Sequence, residues 1–467
     1  MILAFGVTLA FSACAGKTTG ATSVTDATAT LTASARCDRG EVCRWYWEFW
    51  QADSPRSPSA KTPVQGPVSG PTGDVSLSTK ITGLQPSTTY RWVFCGSPND
   101  GAGYVCMGPH GQVSSTSDDP PADYATFTTS PEKTLAAVWN GTTWAIQPTP
   151  NPSAGVGGSF LNAVSCTSAT ACIAVGHYVD STGNAKPLAE RWNGTSWAIQ
   201  TVPLPSGAQY AFLFGVSCTS ATACTAVGNS SAGTLAERWN GASWTVQPTP
   251  KPGDGGGLAG VSCTSATACT AVGGYFDGTG FTLAEAWDGT AWTIQPTPGE
   301  GTIERLSGVS CTSATGCTAV GIEGSPSNSQ AQAQRWNGTA WSTQTVPLPS
   351  GGLSSSLDGV SCVSPTACTA VGNYFLNGVH TLAEAWNGST WTMQVTPNPS
   401  GSQNLVEVSC TSTAACTAVG QSSGRTLAER WNGANWTIQS TPNPTGLPAL
   451  SGVSCTSSTS CTAVGKY

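Results

Sequence analysis

Hydrophobic and polar residues alternate in short runs along the chain, and stretches rich in Gly, Pro and Ser separate these runs. Residues 188–192 and 197–200 are representative, since they contain nine strand positions interrupted by one turn. One face comprises Leu188, Glu190, Trp192, Trp197 and Ile199, and the other comprises Ala189, Arg191, Ala198 and Gln200. A period of two is typical of β-strands. The pattern therefore predicts an all-β protein.

Two motifs alternate from Thr134 to the end of the chain, and each occurs seven times. The tryptophan motif, Trp-Asn/Asp-Gly-x-x-Trp, contains the pairs Trp139/Trp144, Trp192/Trp197, Trp239/Trp244, Trp287/Trp292, Trp336/Trp341, Trp386/Trp391 and Trp431/Trp436. The cysteine motif, Val-Ser-Cys-x5-Cys-x-Ala-Val-Gly, contains the pairs Cys166/Cys172, Cys218/Cys224, Cys263/Cys269, Cys311/Cys317, Cys362/Cys368, Cys410/Cys416 and Cys455/Cys461. A period of about 48 residues is typical of a four-stranded propeller blade.

Each motif is predicted to be a β-hairpin. Asn193-Gly194 and its counterparts suit the positive φ angles of a tight hairpin turn. Four strands follow for each repeat: strands a and b carry the two cysteines, and strands c and d carry the two tryptophans. Small residues in the cysteine hairpin favour the narrow inner side of a blade, and the tryptophan hairpin then lies outside.

The repeat array begins and ends with half a repeat. Residues 135–147 form a tryptophan hairpin without a cysteine hairpin, and residues 453–465 form a cysteine hairpin without a tryptophan hairpin. Pairing of these two hairpins would complete a seventh blade and leave no open sheet edge. Residues 134–467 are therefore predicted to form a seven-bladed β-propeller closed by its own two ends.

The cysteine spacing predicts seven disulfides, one within each cysteine hairpin. Directly opposite residues of a hairpin have Cα atoms about 4.5 to 5.5 Å apart, which suits an S–S bond. Metal binding is the competing interpretation, but the spacing is unusual for zinc and the chain has only His110, His177 and His380. We expect no metal and no cofactor, and the disulfides indicate an oxidising compartment.

Residues 1–19 are predicted to be an export leader. The run from Met1 to Ala13 is apolar and ends in small residues, although no basic residue precedes Lys17. Cleavage after Ala15 would give a freely secreted protein, whereas lipidation of Cys14 would give a lipoprotein. Cys14 is also the cysteine left over from 19 once the others are paired. The expected location is extracellular or at the cell surface, and a third alternative is that the segment is no leader.

Residues 20–130 lack the repeat and show the short strands of a small β-sandwich. The segment 84–92, Leu-Gln-Pro-Ser-Thr-Thr-Tyr-Arg-Trp, resembles the E–F corner of fibronectin type III domains, with Tyr90 as the corner tyrosine. It departs from that family in having Leu31 where the second strand usually carries Trp, and in an insertion over residues 96–121. The remaining cysteines are expected to pair as Cys37 with Cys43 and Cys95 with Cys106.

Charged residues make up only 9% of the chain, and the net charge is −7. So few basic residues cannot neutralise a phosphate backbone, which argues against nucleic acid as a partner. No apolar stretch reaches the length of about 18 residues needed for a membrane helix. Membrane attachment is therefore expected only through a lipid anchor, and the protein is expected to be a monomer.

The repeats resemble two kinds of propeller. The turn between strands c and d is similar to the Asp-box turn of sialidase-type propellers but lacks its Ser/Thr-x-Asp lead-in. The paired motifs resemble repeat propellers of secreted actinobacterial proteins more closely. No catalytic set carries over from either resemblance, because the glutamates and arginines of strand c recur at equivalent positions, which indicates a structural role.

Variation between repeats is confined to the d-to-a and b-to-c connections, which leave a propeller on one face. Aromatic residues there suit stacking on sugars or anchoring a protein. The candidate binding residues are His177, Tyr178, Asp180, Tyr275, Phe276, Asp277, Tyr374, Phe375 and His380. An alternative is that these aromatics only cover the rims of neighbouring blades.

The favoured hypothesis is an exported, non-catalytic protein whose loop face binds an extracellular glycan or protein. The first alternative is a glycoside hydrolase or lyase acting on a polysaccharide, which needs two converging carboxylates. The candidates for that role are Asp180, Asp277, Glu300, Glu304 and Glu323. The second alternative is a structural component of the cell envelope.

Overall fold

The computed structural model describes residues 14–25, 27–37, 42–54, 59–69, 75–98, 105–107, 112–113, 124–153, 157–253, 255–299, 303–325, 328–398 and 401–467. These residues form β-strands and turns without any helix, which confirms the all-β prediction. No helix capable of crossing a membrane is therefore found in this part of the chain. The chain divides into two compact units, Met1–Pro131 and Glu132–Tyr467.

The described residues of the first unit form two sheets. Its strands are β1 (Cys14–Thr22), β2 (Thr28–Cys37), β3 (Val42–Gln51), β4 (Ala60–Lys61), β5 (Gln65–Ser69), β6 (Val75–Thr82), β7 (Thr89–Pro98), β8 (Val105–Met107), β9 (Gln112–Val113) and β10 (Ala125–Thr128). One sheet has the order β1-β2-β6, and the other has the order β4-β3-β7-β8-β9, with β5 on β3 and β10 on β7. Strand β1 pairs with β2 from Cys14 onward, so this sheet begins before the boundary expected at residue 20.

The two sheets of the first unit share one hydrophobic core. Leu31 from one sheet and Trp47 and Trp92 from the other are fully buried in it. The hydroxyl of Tyr90 accepts a hydrogen bond from the backbone N–H of Gln85 at 2.9 Å, which ties the start of β7 to the preceding turn. Most of the predicted insertion 96–121 lies outside the described residues.

The described residues of the second unit form seven four-stranded antiparallel sheets. Sheet 1 comprises β13 (Ser159–Ser168), β14 (Ala171–Val179), β15 (Ala185–Trp192) and β16 (Trp197–Gln200), sheet 2 comprises β17 (Ala211–Ser220), β18 (Ala223–Ser230), β19 (Gly233–Trp239) and β20 (Trp244–Gln247), and sheet 3 comprises β21 (Gly255–Ser265), β22 (Ala268–Asp277), β23 (Thr279–Trp287) and β24 (Trp292–Gln295). Sheet 4 comprises β25 (Arg305–Ser313), β26 (Gly316–Ser325), β27 (Asn328–Trp336) and β28 (Trp341–Gln344), sheet 5 comprises β29 (Ser354–Ser364), β30 (Ala367–Phe375), β31 (Val379–Trp386) and β32 (Trp391–Gln394), and sheet 6 comprises β33 (Gln403–Ser412), β34 (Ala415–Ser422), β35 (Arg425–Trp431) and β36 (Trp436–Gln439).

The remaining sheet, called the terminal sheet, joins the two ends of the repeat array. It consists of β11 (Thr134–Trp139), β12 (Trp144–Gln147), β37 (Ala449–Ser457) and β38 (Ser460–Lys466) in the order β12-β11-β38-β37. Strand β11 pairs with β38 along its whole length, with Leu135 opposite Gly465. Consecutive first strands of the sheets contact one another, and β37 contacts both β33 and β13.

Hydrogen bonds link each sheet to the next at the cysteine motif. The serine of each Val-Ser-Cys sequence accepts the backbone N–H of the first cysteine in the following sheet at 3.0 Å. The seven acceptor–donor pairs are Ser165–Cys218, Ser217–Cys263, Ser262–Cys311, Ser310–Cys362, Ser361–Cys410, Ser409–Cys455 and Ser454–Cys166. Because every repeat makes the same contact, packing between sheets accounts for the presence of serine in the Val-Ser-Cys motif.

The predicted disulfides are confirmed in all seven cysteine hairpins, where the two cysteines lie directly opposite each other. The bonds are Cys166–Cys172, Cys218–Cys224, Cys263–Cys269, Cys311–Cys317, Cys362–Cys368, Cys410–Cys416 and Cys455–Cys461. The Cα separations are 3.9 to 4.0 Å, shorter than the expected 4.5 Å or more. The pairs Cys37–Cys43 and Cys95–Cys106 are also confirmed.

The two cysteines of each hairpin differ in burial, and the spacing alone did not predict this difference. The first cysteine is half-buried, whereas the second is buried. The second cysteine is buried because its sulfur packs against the second strand of the preceding sheet. A threonine hydroxyl lies 3.5 to 3.8 Å from this sulfur in six of the seven contacts, which are Thr462–Cys172, Thr225–Cys269, Thr270–Cys317, Thr318–Cys368, Thr369–Cys416 and Thr417–Cys461.

The seventh contact is apolar, since Ile173 and Cys224 belong to the same buried cluster between sheets 1 and 2. The second cysteines therefore belong to the core between sheets and offer nothing to a ligand at the surface.

The recurring charged residues of the third strands lie between sheets. Arg335 of sheet 4 lies over the ring of Trp386 in sheet 5, 5.1 Å from its centroid, and Arg430 lies over Trp139 at 4.9 Å. The glutamates at the neighbouring recurring position are fully buried. Burial raises the pKa of Glu237, Glu285, Glu384 and Glu429 to about 8. The carboxyls of these four have no hydrogen-bond partner in the described part of the chain.

Candidate functional site

One cross-strand position distinguishes sheet 3 from the other sheets. On the first strand it is the residue immediately before the recurring leucine, and on the second strand it is the residue that pairs with that one. The pairs at this position are Phe160–His177, Phe212–Asn229, Gly257–Gly274, Arg305–Ile322, Ser356–Asn373, Asn404–Gln421 and Ala449–Lys466. Of these seven described pairs, only that of sheet 3 has no side chain on either strand. A cavity of about 410 Å³, here called the aromatic cavity, occupies this space.

The walls of the aromatic cavity come from three consecutive sheets. Phe214 of sheet 2 lies on one side, Tyr275 and Phe276 of β22 line the middle, and Glu304 and Arg305 come from the start of sheet 4. Phe276 is 59% exposed and Phe214 is 38% exposed, so large apolar faces are accessible to a ligand. Accessible aromatic faces beside a few polar groups are typical of small-molecule sites. The arrangement suits a ring with one apolar face and polar substituents.

Glycine is required for the shape of this cavity. A Cβ atom added at Gly274 would lie 3.2 Å from the Arg305 Cβ atom and 3.2 Å from the Phe281 carbonyl oxygen. One added at Gly257 would lie 3.3 Å from the Asn229 Cβ atom. All three distances are tighter than ordinary van der Waals contacts, so side chains here would fill the cavity and displace its walls.

The predicted residues of sheet 1 lie in strand β14 and the turn after it. His177 stacks on Phe160 with ring centroids 4.6 Å apart and meets the edge of Phe212 at 4.7 Å. Burial, and secondarily the charge of Lys466, lowers the pKa of His177 to about 4. A neutral ring in an aromatic stack serves packing rather than proton transfer at neutral pH.

Asp180 stabilises its own turn. Its carboxylate accepts the backbone N–H of Thr182 at 2.9 Å and that of Asn184 at 3.1 Å. Lys186 also lies 3.6 Å from the carboxylate. Tyr178, two residues earlier, is half-buried against the core between sheet 1 and the terminal sheet. These contacts give Asp180 and Tyr178 structural roles in this structure.

The predicted residues of sheets 3 and 5 follow a common pattern. Tyr275 stacks on Phe281 of the adjacent strand, with centroids 5.2 Å apart, and Tyr374 stacks on His380 at the same separation. The residues that follow them, Phe276 and Phe375, are exposed, and Asp277 is exposed at the end of β22. His380 also contacts the carbonyl oxygen of Leu376 through Nε2 at 2.9 Å.

The expectation that Tyr178, Tyr275 and Tyr374 are loop residues is wrong. All three lie within second strands and are half-buried. The strands continue past the last glycine of the cysteine motif, because the third strands extend equally far and pair with them. Of the nine predicted binding residues, Tyr275 and Phe276 line the aromatic cavity.

A second cavity, called the central cavity, is lined by the first strands of all seven sheets and measures about 360 Å³. One lining residue from each strand is Asn162, Phe214, Ala259, Ser307, Asp358, Glu407 and Ser451. Phe214 and Ala259 also line the aromatic cavity, so the two cavities adjoin.

Two carboxyls of the central cavity were not among the candidates found in the sequence. Burial raises the pKa of Asp358 to about 6 and that of Glu407 to about 8, with the charge of Asp358 a smaller cause for Glu407. The two residues lie on neighbouring first strands, β29 and β33. Glu407 occupies a position that is Gly or Ala in every other repeat. That single exception among seven repeats was the sequence feature that could have identified it.

The sequence-predicted carboxylates are distributed differently. Glu304 lines the aromatic cavity, and its charge adds to burial in raising the pKa of the nearby Glu323 carboxyl. Glu300 lies outside the described residues. Elsewhere, the side chains of Glu48, Cys95 and Cys106 place donor atoms within 4.8 Å of one another. The two cysteines form a disulfide, however, so they offer no thiolate to a metal.

No family model and no curated protein matches this chain. Similar solved structures include SapL1 lectin in complex with α-methyl fucoside, with 12% identity, coverage of 62% of this chain and 98% of that chain, and a TM-score of 0.39. They also include a PL25 ulvan lyase bound to a sugar, with 9% identity, coverage of 69% and 88%, and a TM-score of 0.41. A mutant of AofleA from Arthrobotrys oligospora has 11% identity, coverage of 69% and 92%, and a TM-score of 0.41.

Proposed function

We propose that this chain is an extracellular, non-catalytic glycan-binding protein and that the aromatic cavity holds a sugar ring. The observation that carries the proposal is the Gly257–Gly274 gap, which opens a space beside Phe214, Tyr275 and Phe276. A sugar ring has an apolar face that can cover an aromatic ring, while its hydroxyls can reach Arg305 at the rim. A protein side chain is the competing occupant, but a concave space of ligand size favours a small ring.

We further propose that the seven sheets are the blades of a closed β-propeller and that the first unit is a fibronectin type III domain. Contacts between consecutive first strands, the terminal sheet and the serine–cysteine hydrogen bonds support closure. The Tyr90–Gln85 hydrogen bond supports the fibronectin assignment. Nine disulfides favour an oxidising, extracellular location, with either free secretion or attachment through Cys14.

A glycan array followed by calorimetry tests the binding proposal. Phe276→Ala is expected to weaken binding of an identified glycan by at least about fivefold, the effect of losing roughly 1 kcal/mol at an aromatic anchor. Phe375→Ala is the matched control, because Phe375 is equally aromatic and 43% exposed but lies in sheet 5. Equal loss in both variants, or no loss in Phe276→Ala, would contradict the assignment of the site.

A polysaccharide-cleaving enzyme is the second candidate function, and the carboxyls of Asp358 and Glu407 favour it. A carboxyl with a pKa near 8 is protonated at neutral pH and can act as a general acid. Chromatography of polysaccharides after incubation with the protein would detect product release. Release that is abolished by Glu407→Gln would replace the binding proposal with an enzymatic one. Absence of both binding and release would leave a structural role in the envelope as the better interpretation.

A further inference from the structure

A third cavity lies beside the aromatic cavity at the junction of sheets 2 and 3. It measures about 360 Å³ and is called the polar cavity. Residues that line it include Tyr210, Asn229, Ser231 and Lys251. Gly255 lines both this cavity and the aromatic cavity, so the two adjoin at the start of β21.

The glycines at the start of β21 keep this junction open. Gly255, Gly256 and Gly257 precede the recurring leucine, and no other repeat has three glycines at these positions. A Cβ atom added at Gly255 would have no heavy atom within 4 Å, so a side chain there would project into open space. Gly255 therefore forms a wall shared by the two cavities that carries no side chain.

The lining of the polar cavity complements that of the aromatic cavity. Apart from Tyr210, its walls carry hydroxyl, amide and ammonium groups, which match the hydroxyls of a sugar. Asn229 lies at the junction, with its side chain beside Gly257, and its amide oxygen has no hydrogen-bond partner in the described part of the protein. A ligand hydroxyl that reached this buried oxygen would supply the hydrogen bond that it lacks.

We infer that the ligand is an oligosaccharide of at least two sugar units, with one unit in the aromatic cavity and the next in the polar cavity. This inference rests on the proposed glycan-binding function and extends it to a substrate class. Each cavity alone is near the lower end of the range of ligand sites, about 300 to 1,000 Å³, whereas two adjoining cavities together suit a longer ligand.

Calorimetry with cello-, chito- and malto-oligosaccharides of one to four units tests the inference. For the series that binds, affinity is expected to rise at least about tenfold from one sugar unit to two. Ala232→Trp should remove that gain and leave binding of the monosaccharide unchanged, because exposed Ala232 lines only the polar cavity. Gly255→Leu, which adds a side chain to the wall shared by the two cavities, is a second variant and should likewise remove the gain from one unit to two.

Ala242→Trp is the matched control, since Ala242 is exposed in the turn at the opposite end of the same sheet. It should bind every oligosaccharide as the parent does. Equal affinity for one and two units, or equal weakening of both by Ala232→Trp, would overturn the inference while leaving the glycan-binding proposal intact. If no glycan binds, either in these series or on the array, both the inference and the glycan-binding proposal are overturned.

Discussion

The hydroxyl of Ser454 accepts a hydrogen bond from the backbone N–H of Cys166 at 3.0 Å, although the two residues are 288 positions apart in the chain. The bond joins the terminal sheet to sheet 1 at the level of the disulfides. The other six Val-Ser-Cys motifs make the same contact between consecutive sheets. The terminal sheet and sheet 1 are therefore linked by the same serine–cysteine contact that links all the other consecutive sheets.

We expect Ser454→Ala to lower the free energy of unfolding by about 1 to 2 kcal/mol. The substitution removes the acceptor for a half-buried backbone N–H, and an unpaired donor costs more than an average hydrogen bond contributes. Chemical denaturation measures the change. Ser458→Ala is the control, because Ser458 is exposed in the adjacent turn, and a similar loss in both variants would contradict the role of Ser454.

Deletion of residues 453–467 tests whether the two chain ends stabilise each other. The truncation removes β38 and most of β37, so β11 keeps its pairing with β12 but loses all of its pairing with β38. We expect a large fall in melting temperature and loss of cooperativity by calorimetry, because two sheet edges and the core around Leu135 become exposed. A truncated protein that melts cooperatively near the parent temperature would indicate an open array instead.

The buried glutamates predict that stability decreases as pH rises. A carboxyl with a pKa of about 8 when folded and 4.5 when unfolded binds more protons in the folded state between these values. The free energy of unfolding therefore falls from about pH 4.5 to pH 8 and changes little further above that. Denaturation at several pH values should show a shallower decline for Glu285→Gln than for the parent.

Sheet 4 supplies the matched control for this pH effect. Gln334 occupies the position of Glu285, and its amide donates to the carbonyl oxygen of Pro298 at 3.0 Å. Gln334→Glu should make the decline with pH steeper. An unchanged slope in both variants would show that these glutamates do not carry the pH dependence.

Much of the fold could be predicted because each hairpin is specified locally. The spacing of Cys166 and Cys172 sets their register, and the Asn193-Gly194 turn sets that of Trp192 and Trp197. Because the same pattern occurs seven times, strand order and disulfide pairing could be predicted without any knowledge of long-range contacts.

The cavities could not be predicted in the same way, because they depend on which positions of different sheets meet. The aromatic cavity requires Phe214 and Arg305 to flank a gap in the sheet between them. A register shift in each first strand, such as that between Leu357 and Gly359, also changes which residues line the central cavity. Alternation alone therefore did not place Asp358 or Glu407 there.

Adjacent residues of β22 should differ sharply in their contribution to stability. Tyr275 packs against the core between sheets 2 and 3 and stacks on Phe281, whereas Phe276 is 59% exposed. We expect Tyr275→Ala to lower the free energy of unfolding by about 1 to 3 kcal/mol, since half-buried aromatic area and one ring contact are lost. Phe276→Ala should stay within about 0.5 kcal/mol of the parent, as for most exposed positions. Chemical denaturation measures the free energy of unfolding of both variants. A Tyr275→Ala variant as stable as Phe276→Ala would show that Tyr275 is a free surface residue.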